Sequence, residues 1–481
     1  MIPAREVEVL DANAEALGVP RKQLMESSGN AVARAVRNLA DPGASVAVVC
    51  GRGNNGGDAA VAARFLAGYD VSVHLLGRPE TISTRIAAEN WGALESAEMD
   101  ARQVRDSTDL SLDDPEPDLV VDAMLGTGIA GDLREPERTA ARAMNESDAT
   151  VLSVDVPSGV DADTGGTYAG AVEADHVVTF HDTKPGLADL DAEVRVEPIG
   201  IPEAAETFVG PGDLLRLDRD PGSHKGDHGE VLVVGGGPYT GAPTLAARAA
   251  LRAGADLVRV ACPETIAREV QGFGEDLIVR PFSGDHLRPG HVQRIAALAN
   301  QPDAVVLGPG LGDDGEALEA VRSFLEGYEG TAVVDADALG AVPDADTEAT
   351  LICTPHQGEL VGMGGETSER WRDRAELVER FAAEIGHVLL VKGAYDVISD
   401  GERTRVNRTG NPGMTVGGTG DVLAGVTGAL ACVLPPGHAA SVAAFANGRA
   451  GDTVAEERGY GLVATDLIDA VPDALRRADD E

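Results

Sequence analysis

Lysine is nearly absent from this 481-residue chain. Lys22, Lys184, Lys225 and Lys392 are the only four, and arginine supplies the rest of the 39 basic residues. Against them stand 80 acidic residues, for a net charge of −41. The acid is spread along the chain rather than gathered in a tail. A surface of this kind repels itself at low ionic strength and is tolerated where salt screens it. That balance implies a salt-rich cytoplasm, such as that of a halophilic archaeon, and argues against nucleic-acid or anionic-membrane partners. Where a general pressure removes lysine, each survivor calls for a local explanation.

Cysteine and aromatic residues are scarce too. Four widely spaced cysteines (Cys50, Cys262, Cys353, Cys432) form no CxxC pair, which excludes a zinc ribbon or a disulfide framework. Each lies in or beside an apolar run, as a buried thiol would. No apolar run approaches the roughly 18 residues of a membrane span, and the N-terminal residues show neither the basic nor the apolar part of a signal peptide. A cytoplasmic protein is the expectation. The apolar content, 43%, is that of a globular protein, and the length calls for two or more domains.

What the chain has in abundance is glycine, 59 residues, much of it after short β-branched runs. The stretch that organises the reading is Asn411-Pro-Gly-Met-Thr-Val-Gly-Gly-Thr-Gly-Asp421, which runs into the small, apolar residues Val422–Leu430. Glycines let a backbone approach a ligand, and the first N–H groups of a helix suit phosphate oxygens. Asp421 at the mouth of such a site reads in two ways. It caps a helix start, or it takes a proton from a hydroxyl while the loop holds a phosphoryl group.

The first half alternates strands and helices. Residues 7–39 read as helical, and Ser45–Cys50 as a buried strand. Gly51-Arg-Gly-Asn-Asn-Gly-Gly-Asp58 follows, then a helix over 59–68. Strand, glycine loop and helix form a nucleotide-binding arrangement, yet the next strand, Val71–Leu76, ends in Gly77-Arg78 without a ribose-binding acid. An ordinary dehydrogenase is therefore disfavoured. Two further strands open into Gly126-Thr-Gly-Ile-Ala-Gly-Asp132 and, after Asp155, into Val156-Pro-Ser-Gly-Val-Asp161. In a parallel sheet all three loops converge beyond the strand ends. Asn55, Asp122 and Ser158 offer oxygen atoms to a hard cation of unspecified identity, or serve as strand-end turns and caps.

Gly-Asn-Asn-Gly-Gly-Asp, Asp-Ala-Met-Leu-Gly-Thr-Gly and Val-Asp-Val-Pro-Ser-Gly, in that order, resemble the NAD(P)HX epimerase family, whose members interconvert the two epimers of ring-hydrated nicotinamide dinucleotide. The resemblance implies a Rossmann-like α/β/α domain over 1–208. It places the hydrate at Asn54, Asn55, Gly56, Gly57 and Asp58, along the loop Gly126, Thr127, Gly128, Ile129, Ala130, Gly131 and Asp132, and at Asp155. Asp155 becomes the proton-transfer residue, and potassium is implied on Asn55, Asp122 and Ser158. Lys184, in Phe180-His-Asp-Thr-Lys-Pro-Gly186, fits the same pattern. Leu133-Arg-Glu-Pro136 departs from it by lacking an aromatic.

From about 211 the strand–helix rhythm restarts. The marked stretches are Ser223-His-Lys-Gly-Asp227, Val231-Leu-Val-Val-Gly-Gly-Gly237, Gly308-Pro-Gly-Leu-Gly312, Val334-Asp-Ala-Asp337, Thr354-Pro-His-Gln-Gly-Glu359 and Val391-Lys-Gly-Ala394. His356 reads equally as a structural histidine or a ligand contact, and Lys392 as a cation set to meet phosphate. Lys-Gly after a strand with the late Gly-Thr-Gly-Asp helix start resembles the ribokinase superfamily. The combination with His-Lys-Gly-Asp and Thr-Pro-His-Gln-Gly-Glu resembles its ADP/ATP-dependent NAD(P)HX dehydratases, over 211–481. This implies nucleotide at Lys392, Gly393, Ala394, Tyr395, Asp396 and Gly420, and hydrate at Ala255, Gly312, His356 and Asp421, with Asp421 the catalytic base. Tyr395-Asp396 and Asp256 stand where the family has smaller residues.

Together the two halves imply an α/β enzyme for repair of NADHX and NADPHX. ADP is its phosphoryl donor, Mg2+ assists the dehydratase and K+ the epimerase. Phosphorylation turns the ring hydroxyl into a leaving group, and elimination restores the dihydronicotinamide. No nucleic-acid or membrane partner is implied, and a homo-oligomer is compatible with this reading. The alternative is a vitamin or sugar kinase fused to a dinucleotide-binding regulator.

Overall fold

The computed structural model describes residues 1–110, 112, 116–128 and 131–477. The chain divides into two compact units, Met1–Ala205 and Glu206–Glu481.

The first unit opens with α1 (Ala4–Ala16) and α2 (Arg21–Leu39), not one continuous helix. Gly18 at φ +94° and Pro20 divide them, glycine supplying the left-handed turn and proline fixing the next start. Seven parallel strands follow: β1 (Ser45–Cys50), β2 (Asp70–Leu76), β3 (Asp100–Val104), β4 (Leu119–Ala123), β5 (Thr150–Val154), β6 (His176–Phe180) and β7 (Glu193–Glu197). Their order is β3-β2-β1-β4-β5-β6-β7, so the chain reverses direction across the sheet between β1 and β4. Both faces are apolar because both are covered. Along β1, Val46, Val48 and Cys50 join the core on one face, and Ala47 and Val49 the core on the other. Helix α3 (Asn54–Phe65) begins inside the glycine motif, earlier than position 59. Glycine is required there. A Cβ at Gly51 would lie 1.7 Å from the Met124 carbonyl oxygen, and one at Gly56 2.1 Å from that of Gly51.

The second unit holds nine strands: β8 (Glu230–Val234), β9 (Leu257–Ala261), β10 (Ile278–Val279), β11 (Ala304–Leu307), β12 (Thr331–Val334), β13 (Thr350–Cys353), β14 (Val388–Val391), β15 (Asp396–Ser399) and β16 (Thr404–Asn407). They lie in the order β10-β9-β8-β11-β12-β13-β14-β15-β16. All pair in parallel except β14-β15-β16, which form an antiparallel meander at one edge. Again Val231 and Val233 enter one core and Leu232 and Val234 the other, so helices cover both faces. The helix Thr419–Ala431 is built for close packing, with Val422 through Leu430 all buried. A Cβ at Gly425 would stand 2.0 Å from the Ala246 carbonyl oxygen on helix Gly241–Arg252. That contact fixes where the first turn, and hence Asp421, points.

Each unit is therefore α/β with helices on both faces of a mainly parallel sheet. All four cysteines are free thiols, and three are buried. Among the described residues no helix is long and apolar enough to cross a membrane.

Candidate active sites

In the second unit the site gathers where the parallel strands end. Asp335, directly after β12, is buried and accepts from the Thr354 hydroxyl at 2.8 Å. Lys392, directly after β14, places Nζ 2.9 Å from Asp335 Oδ1 and 3.8 Å from Glu359 Oε2. Its backbone N–H donates to the Pro355 carbonyl at 2.8 Å, which ties the β14 exit to the β13 exit. Burial disfavours the ammonium, but Asp335, Glu359 and Asp421 outweigh it and hold the lysine pKa above its usual value. Gly420 lies against this lysine, since a Cβ there would come within 3.4 Å of Nζ.

Asp421 sits in the first turn of helix Thr419–Ala431, behind Gly418 at φ +98°. Burial, then the charges of Asp335 and Asp337, push its carboxyl up to about 7, while Lys392 pulls the other way. This is a carboxylate poised near neutrality, as a general base should be. Asp337 also fixes Gly312, accepting from its N–H at 2.8 Å. One lysine thus faces three carboxylates, Asp335, Glu359 and Asp421, and Asp337 acts on the last of them. The excess negative charge suits a divalent cation.

The turn at 393–396 is held from behind. Asp396 accepts from Gly393 N–H and from the Asn407 amide, both at 2.9 Å, and burial lifts its carboxyl to about 6. The buried Arg374 donates to the Tyr395 carbonyl at 2.9 Å, and the Tyr395 ring stacks on Trp371 with centroids 5.7 Å apart. Ala394 lies exposed on the same turn. His356 caps a short helix, its Nδ1 accepting from Gly358 and Glu359 N–H at 3.0 and 3.1 Å. Its ring edge stays exposed beside Lys392, so capping and a ligand contact are compatible.

Ala255 is the exception. It lies two residues before β9, at the edge where the parallel strands begin, and packs into the apolar core. Gly312, His356 and Asp421 lie at the opposite edge. The reason is geometric, because helix Gly241–Arg252 carries the chain back across the sheet before β9 starts.

In the first unit, β1, β4, β5 and β6 deliver their loops to one edge, at the reversal between β1 and β4. Asp122 is wholly buried. Its carboxylate accepts from Ser158 Oγ at 2.6 Å and N–H at 2.9 Å, from Ser153 Oγ at 2.8 Å and from Met124 N–H at 3.2 Å. Burial raises its pKa and these bonds oppose the rise. Among the described residues no lysine or arginine pairs with it. A buried carboxylate satisfied only by neutral donors is a fitting neighbour for a monovalent cation. Asn55 spends its amide N–H groups on the Leu125 and Val154 carbonyls, at 2.8 and 3.1 Å, and keeps its oxygen for other use.

Asp155 follows β5 in the left-handed region, at φ +67°. Its Oδ1 lies 2.6 Å from Lys184 Nζ and accepts from Thr179 Oγ1 at 2.9 Å. Asp58, on the second turn of α3, accepts from Ser28 Oγ, and burial first, then Asp155 and Asp11, raise it well above the usual range. Asn54 is exposed at the start of α3, while Gly56 and Gly57 are buried beneath it. Gly126, Thr127 and Gly128 form the turn after β4, and Gly131 (φ +115°) and Asp132 follow it. Asp132 is tied to the Ala169 N–H at 3.2 Å. Ile129 and Ala130 lie outside the described residues.

The sequence reading passed over Asp335, Asp337 and Glu359, although each stood in a stretch it marked. An acid at a strand exit was the available signal for Asp335.

Comparison with known proteins matches both units to families. A model described as YjeF-related protein N-terminus covers residues 21–186, and one described as NAD(P)H-hydrate dehydratase covers 231–473. A protein of Methanothermobacter thermautotrophicus named bifunctional NAD(P)H-hydrate repair enzyme Nnr is 44% identical over 98% of this chain and 94% of its own. One of the same name from Archaeoglobus fulgidus is 44% identical over 99% and 98%. Among solved structures, the ADP/ATP-dependent NAD(P)H-hydrate dehydratase of Bacillus subtilis, co-crystallised with ATP and Mg2+, is similar at TM-score 0.50 and 27% identity. It covers 56% of this chain and 97% of its own.

Proposed function

Because the chain belongs to the family of bifunctional NAD(P)H-hydrate repair enzymes, we propose that it restores hydrated NADH and NADPH by two activities. The first unit interconverts the epimers of NAD(P)HX, and the second dehydrates one of them at the expense of ADP, releasing AMP and phosphate. The observation that carries the reading is Asp421, a carboxyl lifted to about 7 on a glycine-led helix start, facing Lys392.

The hydrate presents its ring hydroxyl to Asp421, which takes the proton as oxygen attacks the terminal phosphoryl group of ADP. Lys392 and the N–H groups of the Gly418–Gly420 turn meet the transferring phosphoryl oxygens. Phosphate then leaves with the ring carbon–oxygen bond, and loss of a proton from the adjacent carbon restores the double bond. Gly312 and His356 border the hydrate side of this site, and residues 392–396 with Gly420 hold the nucleotide. Asp335 and Glu359 are the residues that would hold Mg2+, which when bound neutralises phosphate oxygens.

In the first unit Asp155 is the proton-transfer group, and Asn54–Asp58 with the 126–132 loop border the hydrate. Asn55, Asp122 and Ser158 would hold K+, whose charge when bound offsets that of Asp122. The acidic, lysine-poor surface suits a salt-rich cytoplasm, which we assign as the working compartment.

The test is recovery of 340 nm absorbance from chemically hydrated NADH, with ADP, Mg2+ and K+ in high salt, comparing intact protein with Asp421→Asn. Full recovery from both epimers, lost in the variant, is the expected result. A stable phosphorylated product without recovered NADH would replace this reading with a small-molecule kinase.

A further inference from the structure

Asp11 lies on α1, outside every motif in the first unit and outside residues 21–186 that the family model matches. Its Oδ1 is buried and has no hydrogen-bond partner. A lone carboxyl oxygen without a partner is costly in a protein interior unless the group is protonated or has work to do. The surroundings say which groups compete for charge. Arg21 of α2, Glu8 of α1, Asp155 after β5 and Lys184 after β6 all act on Asp11, and Asp11 and Asp155 both act on Asp58 of α3.

Three carboxyls thus lie within one another's field, and the buried cation among them is paired with Asp155. Lys184 is wholly buried and committed, with Nζ 2.6 Å from Asp155 Oδ1, 2.9 Å from Thr179 Oγ1 and 3.0 Å from the Phe180 carbonyl oxygen. Asp58 is engaged by the Ser28 hydroxyl. Of the three, Asp11 alone keeps a buried oxygen, Oδ1, without a hydrogen-bond partner among the described residues. Burial, and after it the charges of Asp155 and Glu8 opposed by those of Arg21 and Lys184, bring its carboxyl up to about 6. Asp155 is thus paired with lysine, while Asp11, whose charge it feels, keeps a buried oxygen unpaired. A carboxyl oxygen left buried without a partner, in the field of a carboxylate already committed to lysine, leaves one group free to carry a proton that the other does not.

We infer that Asp11 is the general acid that works with Asp155 in the epimerase site. The inference rests on the epimerase reading of the first unit and names a residue that reading lacks. A dihydronicotinamide is an enamine, so hydration puts the hydroxyl on the carbon next to the ring nitrogen and creates a hemiaminal. Asp155 removes the hydroxyl proton, the carbon–oxygen bond becomes a carbonyl and the carbon–nitrogen bond breaks. The electron pair of that bond goes to nitrogen, which takes the proton of Asp11. The open-chain aldehyde rotates about its carbon–carbon bond, and nitrogen adds to the other face. Nitrogen returns its proton to Asp11 and oxygen recovers one from Asp155, so nothing is consumed.

The experiment uses the full-length chain with purified single epimers of NADHX and no ADP, which leaves the second unit idle. Appearance of the other epimer is followed by chromatography across pH 5 to 9. Asp11→Asn is expected to lower kcat by about 10²-fold or more, with KM little changed. The wild type should lose rate as pH rises past about 6, and the variant's residual rate should lack that limb. Asp11→Glu should restore part of kcat together with the limb, an outcome that a merely structural role for Asp11 does not give. Wild-type kcat and an unchanged alkaline limb in Asp11→Asn would overturn the inference. So would a variant whose lost activity Asp11→Glu leaves unrestored while Trp91 emission reports a folded first unit. Failure of the wild type itself to interconvert the epimers would instead overturn the epimerase reading.

Discussion

Lys184 Nζ lies 2.6 Å from Asp155 Oδ1, and the lysine side chain is completely buried. Lysine is otherwise almost excluded from this chain, so its survival here marks a position that arginine cannot fill. The ammonium is a compact point charge that reaches Asp155, Thr179 and the Phe180 carbonyl from one spot, whereas a planar guanidinium needs more room. Removing it leaves Asp155 without its countercharge in a largely buried place. Lys184→Met should therefore destabilise the first unit by about 3–5 kcal/mol. A denaturation midpoint unchanged from wild type would show that Asp155 does not depend on this pair.

Asp421 gives a prediction with a defined sign. Its folded pKa of about 7 lies above the ordinary 3.8, so the folded state binds this proton more tightly than the unfolded chain does. The stabilisation it gives is complete below the unfolded value and is lost as pH rises through 7. Asp421→Asn should accordingly stabilise the second unit at pH 8, on the order of 2–4 kcal/mol, with no gain near pH 3. The same variant should lose dehydratase activity by about 10²–10⁴-fold. In the wild type the dehydratase rate should climb with pH through about 7. Lys392 lowers the Asp421 pKa, so Lys392→Met should move that limb to higher pH. Stability and rate measured against pH check both halves, and a flat rate profile would remove Asp421 as the base.

Asp122 predicts an ion dependence. Replacing K+ by choline should slow epimerisation about tenfold or more, and Asp122→Asn should slow it similarly while abolishing the response to K+. Assays of epimer interconversion in the two salts decide the matter. An Asp122→Asn enzyme that still answers to K+ would move the ion elsewhere.

Much of this was legible in the sequence, and the reasons can be named. Short β-branched runs followed by glycine mark parallel strands whose exits build sites, so Asp155, Lys392 and Asp421 fall where spacing puts them. Glycines such as Gly51 and Gly425 are dictated by backbone contacts that only a fold can impose, yet glycine-rich exits are visible without it. Two things stayed hidden. Ala255 looks like its neighbours in a glycine-alanine stretch, and only the path of the preceding helix shows that it lies at the far edge of the sheet. Asp11 feels the charges of Asp155 and Lys184, which are distant in sequence, and no local pattern encodes such a relation.

The Tyr395 ring stacks on Trp371, one of only two tryptophans. An aromatic beside a nucleotide loop offers a face to a purine, a contact worth about 1–3 kcal/mol. Tyr395→Ala should raise KM for ADP about fivefold or more and leave kcat nearly unchanged, whereas Tyr395→Phe should behave as wild type. If both leave KM untouched, the ring serves packing against Trp371 alone.

The charge balance makes the last prediction. Many arginines pair with acids at the surface, as in Arg102–Asp100 and Arg322–Asp344, and salt weakens such pairs. Yet 80 acids face 39 bases, so most carboxylates meet other carboxylates, and screening relieves more repulsion than it removes attraction. Raising KCl from about 0.1 M to about 1 M shortens the screening length from roughly 10 Å to roughly 3 Å. The thermal midpoint should therefore rise over that range. The rise should shrink in a variant with several exposed, unpaired acids changed to lysine, because each change converts a repulsive neighbour into an attractive one. A midpoint that falls with added KCl would mean that the arginine–carboxylate pairs, not the unpaired acids, dominate the surface.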